Sequence, residues 1–395
     1  MEKTGITGNH GDKIRSDCRV TLTLNESGGR QVQLESKVAA MYGKSIRILI
    51  DEVLDFYDIA HANVKLEDSG ALPHVLAARL EAAVKMVSNT RKEFLLPFND
   101  AERPRSASDR FRMSRLYLPG NTPAMMINAP IHHPDGLILD LEDSVAPDKK
   151  DEARILVRNT LRAIDFQGAE RMVRINQLPL GLEDAAILAA HEIDLILIPK
   201  CEEAWQVQEV EKVVNTILDS NNSDRDIFFM PIIESALGVE NAFAIATSSH
   251  RVVAMAIGLE DFTADLGVPR TQEGAESLYA RSRIVNACKA AHIQPIDSVF
   301  SDVADMEGLL ENVRRSKSLG FEGMGCIHPG QITVINEGFK PSVNEVERAA
   351  NIVRAYEEAR EKGLGVVALG SKMIDAPVVK RAEQTLKLAQ KFNMI

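Results

Sequence analysis

The chain has 395 residues, with 46 Lys and Arg against 57 Asp and Glu for a net charge of −11, and 45% of its residues are apolar. That length exceeds what one hydrophobic core organises, so two or three units are expected. The acidic balance excludes a nucleic-acid or anionic-membrane surface, which needs clustered cations, and five Tyr and one Trp are too few for a base-stacking groove.

No run of about 18 apolar residues offers a membrane span. Met1-Glu2-Lys3-Thr4-Gly5 lacks the apolar core of a leader, and Cys18, Cys201, Cys288 and Cys326 show neither disulfide nor zinc spacing. A reducing, cytoplasmic setting is expected.

Apolar residues alternate with polar ones from Cys18 to Asn25, and again through Val32 and Leu34 after Glu26-Ser27-Gly28-Gly29. This spacing predicts a hairpin. Helical spacing follows from Val38 to Tyr57, then a short strand at Asn63 to Leu66, then an amphipathic helix from Leu72 to Val87. Residues 1–94 thus form a small α/β domain. Residues 95–111, with Pro97, Pro104 and several charged residues, read as an exposed linker.

Beyond the linker, eight short apolar runs recur with helical segments between them: Leu116 to Leu118, Leu137 to Leu139, Met172 to Ile175, Leu195 to Ile198, Ile227 to Ile233, Val252 to Ile257, Ile296 to Val299, and Met324 to Ile327. Near-continuous apolar runs suit strands buried on both faces. Eight of them predict a (β/α)8 TIM barrel over 112–340, with an open doubly wound sheet as the rival. Residues 341–395 form a helical extension: Ser342 and Glu345 fit a capping box opening a helix to about Glu361, Gly363-Leu364-Gly365 ends it, and a last helix runs from Val378 to about Gln390.

Polar chemistry follows the runs: Pro119-Gly120-Asn121, Asp140-Leu141-Glu142-Asp143, Arg174 with Asn176, Lys200, Glu234, Glu260-Asp261, Asp297 and His328. In a barrel these carboxyl ends share one face, where active sites of the fold lie. Glu234 and Asp261 offer hard oxygen ligands suited to Mg²⁺ or Mn²⁺, with helix capping as the plain alternative. A substrate carboxylate is a fitting partner for Arg174, with a pair to Asp140 or Glu142 as the plain alternative, and the two roles are compatible. His328, before a proline, is expected to be structural. No nucleophilic triad and no dinucleotide fingerprint is present.

Taken in order, Leu118-Pro119-Gly120-Asn121, Asp140-Leu141-Glu142-Asp143, Val173-Arg174-Ile175-Asn176, Ile233-Glu234-Ser235-Ala236 and Gly258-Leu259-Glu260-Asp261 resemble the citrate lyase beta subunit and its malyl-CoA and citramalyl-CoA lyase relatives in the HpcH/HpaI aldolase superfamily. The resemblance continues through Ile327-His328-Pro329-Gly330-Gln331-Ile332 to Met373-Ile374-Asp375-Ala376-Pro377, covering about residues 112 to 392. It implies that Glu234 and Asp261 hold the metal, with Asp140 and Glu142 behind them. Arg174 would grip the carboxylate of a 2-oxo-acid half, and Tyr117, Glu260 and Asp261 would line the substrate site. Asp375 would be the catalytic acid/base, delivered by an adjacent subunit of a homo-oligomer that is a trimer or a multiple of one. The implied reaction is Mg²⁺-dependent cleavage of a citryl, citramalyl or malyl thioester to an acetyl-type thioester and a 2-oxo acid. A coenzyme-A-independent class II aldolase and a non-catalytic carrier or assembly protein are the alternatives.

Residues 10–92 separately resemble the citrate lyase acyl carrier (gamma) subunit, through Ser16-Asp17, Gly43-Lys44-Ser45-Ile46-Arg47, Asp68-Ser69-Gly70-Ala71-Leu72 and Ala77-Ala78-Arg79-Leu80-Glu81-Ala82. In such subunits the serine bearing the coenzyme-A-like prosthetic group lies two residues before an Asp. Here Arg15 holds that place, and Ser16 is the displaced alternative. The domain is then a loaded carrier, a relic, an assembly surface, or a cap over a free coenzyme A thioester. Thr122-Pro123-Ala124-Met125 resembles the carrier-dependent beta subunit, where several free-thioester relatives carry a Lys.

Overall fold

The computed structural model describes residues 3–97, 105–361, 367–369 and 372–395. They divide into two compact units, Met1–Ile332 and Thr333–Ile395.

The first unit opens with β1 (Thr4–Gly8), β2 (Cys18–Leu24), β3 (Arg30–Ser36), α1 (Ala39–Phe56), β4 (Ala62–Asp68) and α2 (Pro73–Val87). Cys18, Val20 and Leu22 face a core while Arg19 is exposed, as a period of two requires. On α1 the buried residues Ile46, Leu49, Ile50, Val53 and Leu54 mark one helical stripe onto that core. The sheet order is β1-β2-β4-β3. This corrects the expected hairpin, because β2 and β3 do not pair: β4 lies between them, antiparallel to β2 and parallel to β3. The connection through Gly28-Gly29 skips one strand position, which β4, reached through α1, then fills, and β1 was not anticipated.

The barrel elements follow as β5 (Ser114–Pro119), α3 (Pro123–Asn128), β6 (Gly136–Asp140), α4 (Lys150–Ala163), β7 (Glu170–Arg174), α5 (Leu180–Ala189), β8 (Leu195–Ile198), α6 (Ala204–Ser220), β9 (Phe228–Ile233), α7 (Ala236–Glu240), α8 (Ala242–Ala246), β10 (Ala254–Ile257), α9 (Leu259–Leu266), α10 (Leu278–Ala290), β11 (Gln294–Asp297), α11 (Met306–Leu319), β12 (Gly323–Cys326) and α12 (Gly330–Phe339). Strands β5 to β12 close in chain order as a parallel barrel, with Met324 of β12 beside Ser114 of β5. The expected barrel is therefore present and the open sheet is excluded. Ile138, Met172, Leu195, Leu197, Met230 and Ile232 fill its interior.

Helix α2 is buried on nearly all sides because it packs on its own sheet and on α4 of the barrel. Buried charges join the two halves. Arg79 donates to both Asp17 oxygens at 2.9 and 3.0 Å and to Asn121 Oδ1 at 2.7 Å, and its Nη1 lies 3.3 Å from Glu152. Arg158 of α4 donates to both oxygens of Glu81 on α2 at 2.9 and 2.7 Å. The centre of the expected linker, residues 98–104, lies outside the described residues.

Within the second unit, α13 (Val343–Glu361), β13 (Val367–Leu369), β14 (Lys372–Ile374) and α14 (Ala376–Lys391) form two packed helices and an antiparallel strand pair. The capping box is formed, with Glu345 N–H donating to Ser342 Oγ at 3.2 Å and Ser342 N–H to Glu345 at 2.7 Å. Gly363-Leu364-Gly365 and Ser371 lie outside the described residues.

Candidate active site

The carboxyl ends of the barrel strands surround a cavity of about 480 Å³, lined in part by Arg115, Tyr117, Arg174, Glu234, Glu260 and Asp261. A cavity of similar size, about 470 Å³, opens at the opposite strand ends beside His250 and His292, away from these acids.

Arg174 ends β7 next to Asp140, which ends β6, because the two are register partners. Its guanidinium donates to both Asp140 oxygens at 2.6 and 2.7 Å, and Nη1 lies 2.9 Å from Glu142. The intramolecular pairing weighed from sequence is thus present. Burial alone would raise the Asp140 pKa, but Arg174 holds it below its ordinary value. Arg174 also sits 5.3 Å from the centre of the Tyr117 ring, a cation–π arrangement. Gln177 donates to Glu142 at 3.0 Å, a contact with no sequence signal.

Glu234 follows β9 and is buried, so it is no solvated capping acid; Ser235 caps α7 instead, accepting from Gly238 N–H. Its Oε2 accepts from the Lys200 amide at 2.9 Å. A Cβ at Gly258 would stand 2.4 Å from Glu234 Oε1, so only glycine leaves room for this carboxylate. Similarly, a Cβ at Gly120 would stand 2.5 Å from the Asp140 carbonyl. Asp261 and Glu260 lie in the first turn of α9; Glu260 reaches away to Arg270 at 2.7 Å.

Lys200 was noted at a strand end without a role. Its backbone is left-handed, with φ of 46°, a strained state for a side-chain-bearing residue. Its ammonium lies 3.5 Å from Glu142, 3.9 Å from Asp143 and 3.7 Å from Asp261. Burial would lower its pKa, yet those three acids together hold it above the usual lysine value.

Negative charge remains in excess. Burial pushes Glu234 up to about 7; the Lys200 amide and Arg174 pull against that, while Glu142 and Asp261 add to it. A divalent cation beside Glu234 and Asp261 would relieve this cost, and two carboxylates leave coordination positions for water and a chelating substrate, as Mg²⁺ prefers. The residues fit the metal.

Arg115 was missed from sequence. It lies two residues before Tyr117 on β5 and is 1% exposed, with Nη1 against the Met230 sulfur at 2.9 Å and Nε without a partner. Burial lowers its pKa to about 10, so it stays cationic at neutral pH.

Asp297 lines the same cavity, but its carboxylate is committed elsewhere. It is held by Arg281 and by Ser316 at 2.5 Å. His328 accepts from the Gly330 amide at 3.1 Å, a turn contact as expected. Ser16 is half-buried in the loop before β2, with φ of 56° and its amide donating to Ser69 at 3.1 Å. In the second unit, half-buried Asp375 caps α14 by accepting from Val378 N–H at 3.3 Å.

A closed parallel barrel with acids, an ordered arginine and a strained lysine at its mouth is the framework of a carbon–carbon lyase, the class to which the matching relatives belong. The chain is a member of the HpcH/HpaI aldolase/citrate lyase family, whose model matches residues 113–329. The model of the malonate decarboxylase delta subunit (MdcD) matches residues 7–87, so the fused carrier-like domain is present too. The citrate lyase subunit beta of Leuconostoc mesenteroides subsp. cremoris is 38% identical over 73% of this chain and 96% of its own. Human mitochondrial citramalyl-CoA lyase is 33% identical over 70% of this chain and 85% of its own. The crystal structure of Mycobacterium tuberculosis CitE with magnesium, acetoacetate and coenzyme A superposes with a TM-score of 0.59 at 31% identity, covering 71% of this chain and 98% of that one. Among the described residues no helix is long and apolar enough to cross a membrane.

Proposed function

We propose that this chain is a Mg²⁺-dependent lyase that cleaves a carboxylated 3-hydroxyacyl thioester to an acetyl-type thioester and a 2-oxo acid. The observation that carries the reading is the buried Glu234 carboxylate, raised by burial and by its acidic neighbours, beside Asp261 and within reach of Arg174's field. Bound between Glu234 and Asp261, Mg²⁺ would supply the positive charge that polarises the oxo-acid oxygens.

The protein's own groups do the rest. Arg174, locked in orientation by Asp140, presents its guanidinium to the oxo-acid carboxylate. Tyr117 walls the cavity on the arginine's face. As the carbon–carbon bond opens, the hydroxyl gives its proton to water at the cavity mouth, the freed oxygen pair closes the new carbonyl, and the carbon–carbon bonding pair passes to the thioester fragment as an enolate. Asp375 delivers a proton to that enolate carbon, and in condensation would remove it. We assign Asp375 to the neighbouring subunit's site in a homo-oligomer, a trimer or a multiple of one. The four buried, unbridged cysteines support a cytoplasmic protein.

For the amino-terminal domain we favour a fixed role over a swinging carrier. Arg15 stands at the expected serine, and Asp17, two residues on, is held by Arg79 against the barrel. Cleavage of citryl-, citramalyl- and malyl-coenzyme A is assayed with Mg²⁺, following the oxo acid and recording intact mass. Turnover by protein of unmodified mass is expected. Failure on all three substrates sinks the free-thioester reading, and an added mass on the amino-terminal peptide restores Ser16 as an attachment site. Asp375→Asn is expected to abolish turnover while Mg²⁺ binding survives; near-normal turnover overturns that assignment.

A further inference from the structure

A guanidinium deep in a barrel should have an acid beside it, because an uncompensated charge away from water costs several kcal/mol. The other deeply buried arginines obey this rule. Arg79 has Asp17, Arg112 has Glu170, and Arg158 has Glu81. Arg115 does not. Among the described residues it makes no ion pair, and of its three side-chain nitrogens only Nη1 has a partner, the thioether of Met230. Glu170, whose charge acts on it without contact, is already held by Arg112 at 2.7 and 2.8 Å.

The place of Arg115 is as telling as its isolation. Strand alternation puts it on the same inward face as Tyr117, and both line the mouth cavity. Arg174 works above under different terms, since Asp140 and Glu142 already neutralise it. The cavity thus has a neutralised arginine ordered by acids and an uncompensated one walled by apolar side chains.

We propose that Arg115 is a specificity-determining residue that binds a second carboxylate of the substrate, the one remote from the bond that breaks. On the lyase reading above, on which this inference rests, the metal pair and Arg174 take the carboxylate next to the reacting carbonyl. A further anionic group on the oxo-acid half then finds its partner in Arg115. The preferred product is a dicarboxylic oxo acid, and the preferred substrate a tricarboxylic acyl thioester of the citryl type. Citramalyl and malyl thioesters, whose oxo-acid halves carry one carboxylate, leave Arg115 unsatisfied.

The test is calorimetric titration of the Mg²⁺-loaded full chain with freshly prepared oxaloacetate and with pyruvate, for wild type and Arg115→Met. Wild type is expected to bind oxaloacetate at least about tenfold more tightly than pyruvate, the scale of one charge-assisted contact. Arg115→Met should erase that preference, weakening oxaloacetate by about tenfold or more and leaving pyruvate within about twofold. It should also melt no lower than wild type without ligand, because it removes an uncompensated buried charge. A variant that keeps the wild-type preference overturns the proposal, and so does one that weakens both acids equally. Should Arg115→Met not fold, Arg115→Gln is read by the same ratio. Wild type that binds neither acid would instead defeat the lyase reading itself.

Discussion

Glu234 carries a conflict that the metal resolves. Its folded pKa of about 7 lies above the ordinary glutamate value of 4.5, so between those pH values the unfolded chain releases a proton that the native chain retains. Stability of the metal-free protein should therefore fall as pH rises through that window, by roughly 3 kcal/mol. Glu234→Gln is expected to flatten this fall and to lose the Mg²⁺-induced rise in melting temperature. Denaturant titrations from pH 5 to 8, with and without Mg²⁺, check both, and a Gln variant still stabilised by Mg²⁺ contradicts the ligand assignment. Arg174, Glu234 and Asp261 were legible as polar residues following apolar runs. Arg115 was not, because it sits within a strand that otherwise reads as buried, and its lack of a partner exists only in three dimensions. Lys200 was visible by position, but its role depends on acids from β6 and α9 meeting around it.

At the level of elements, the strand–helix alternation was strong enough to give all eight barrel strands and their order, since each buried run has only one period to obey. The amino-terminal sheet was less legible. Alternation in β2 and β3 says that each is a strand, not which strand lies beside it, and the Gly-Gly turn signal pointed to the wrong neighbour. Helix α2 shows a related blind spot: its stripe was evident, but the burial of its outer face required α4. His74, near the start of α2, is buried with Nε2 unpartnered, and burial lowers its pKa to about 4 from 6.5. A depressed histidine contributes stability that is full above about pH 6.5 and is lost as pH falls toward 4. His74→Gln should remove roughly 3 kcal/mol of that acid sensitivity. Denaturation midpoints at pH 7 and pH 4.5 measure it, and equal losses in wild type and variant exclude His74 as the source.

Across the whole molecule, the best-defined join is the one between the carrier-like sheet and the barrel. Removing Arg79 would leave Asp17 and Glu152 buried without their shared cation, a change that costs about 3–5 kcal/mol in comparable pairs. Arg79→Met is therefore expected to expose α2 to limited proteolysis and to split thermal unfolding into two transitions. A single unshifted transition would show that the ion network is dispensable. Because Arg79 also grips Asn121, in the turn after the first barrel strand, the same variant should raise the KM for the thioester more than it lowers kcat. Covalent continuity gives the α2–α4 join a further meaning. Two halves on one chain meet at an effective concentration of about millimolar, so this contact need not be tight enough to hold separate proteins together at their cellular abundance. Gene fusion thereby sets one carrier-like domain per barrel. An interface too polar to survive as a bimolecular complex can persist as an internal seam.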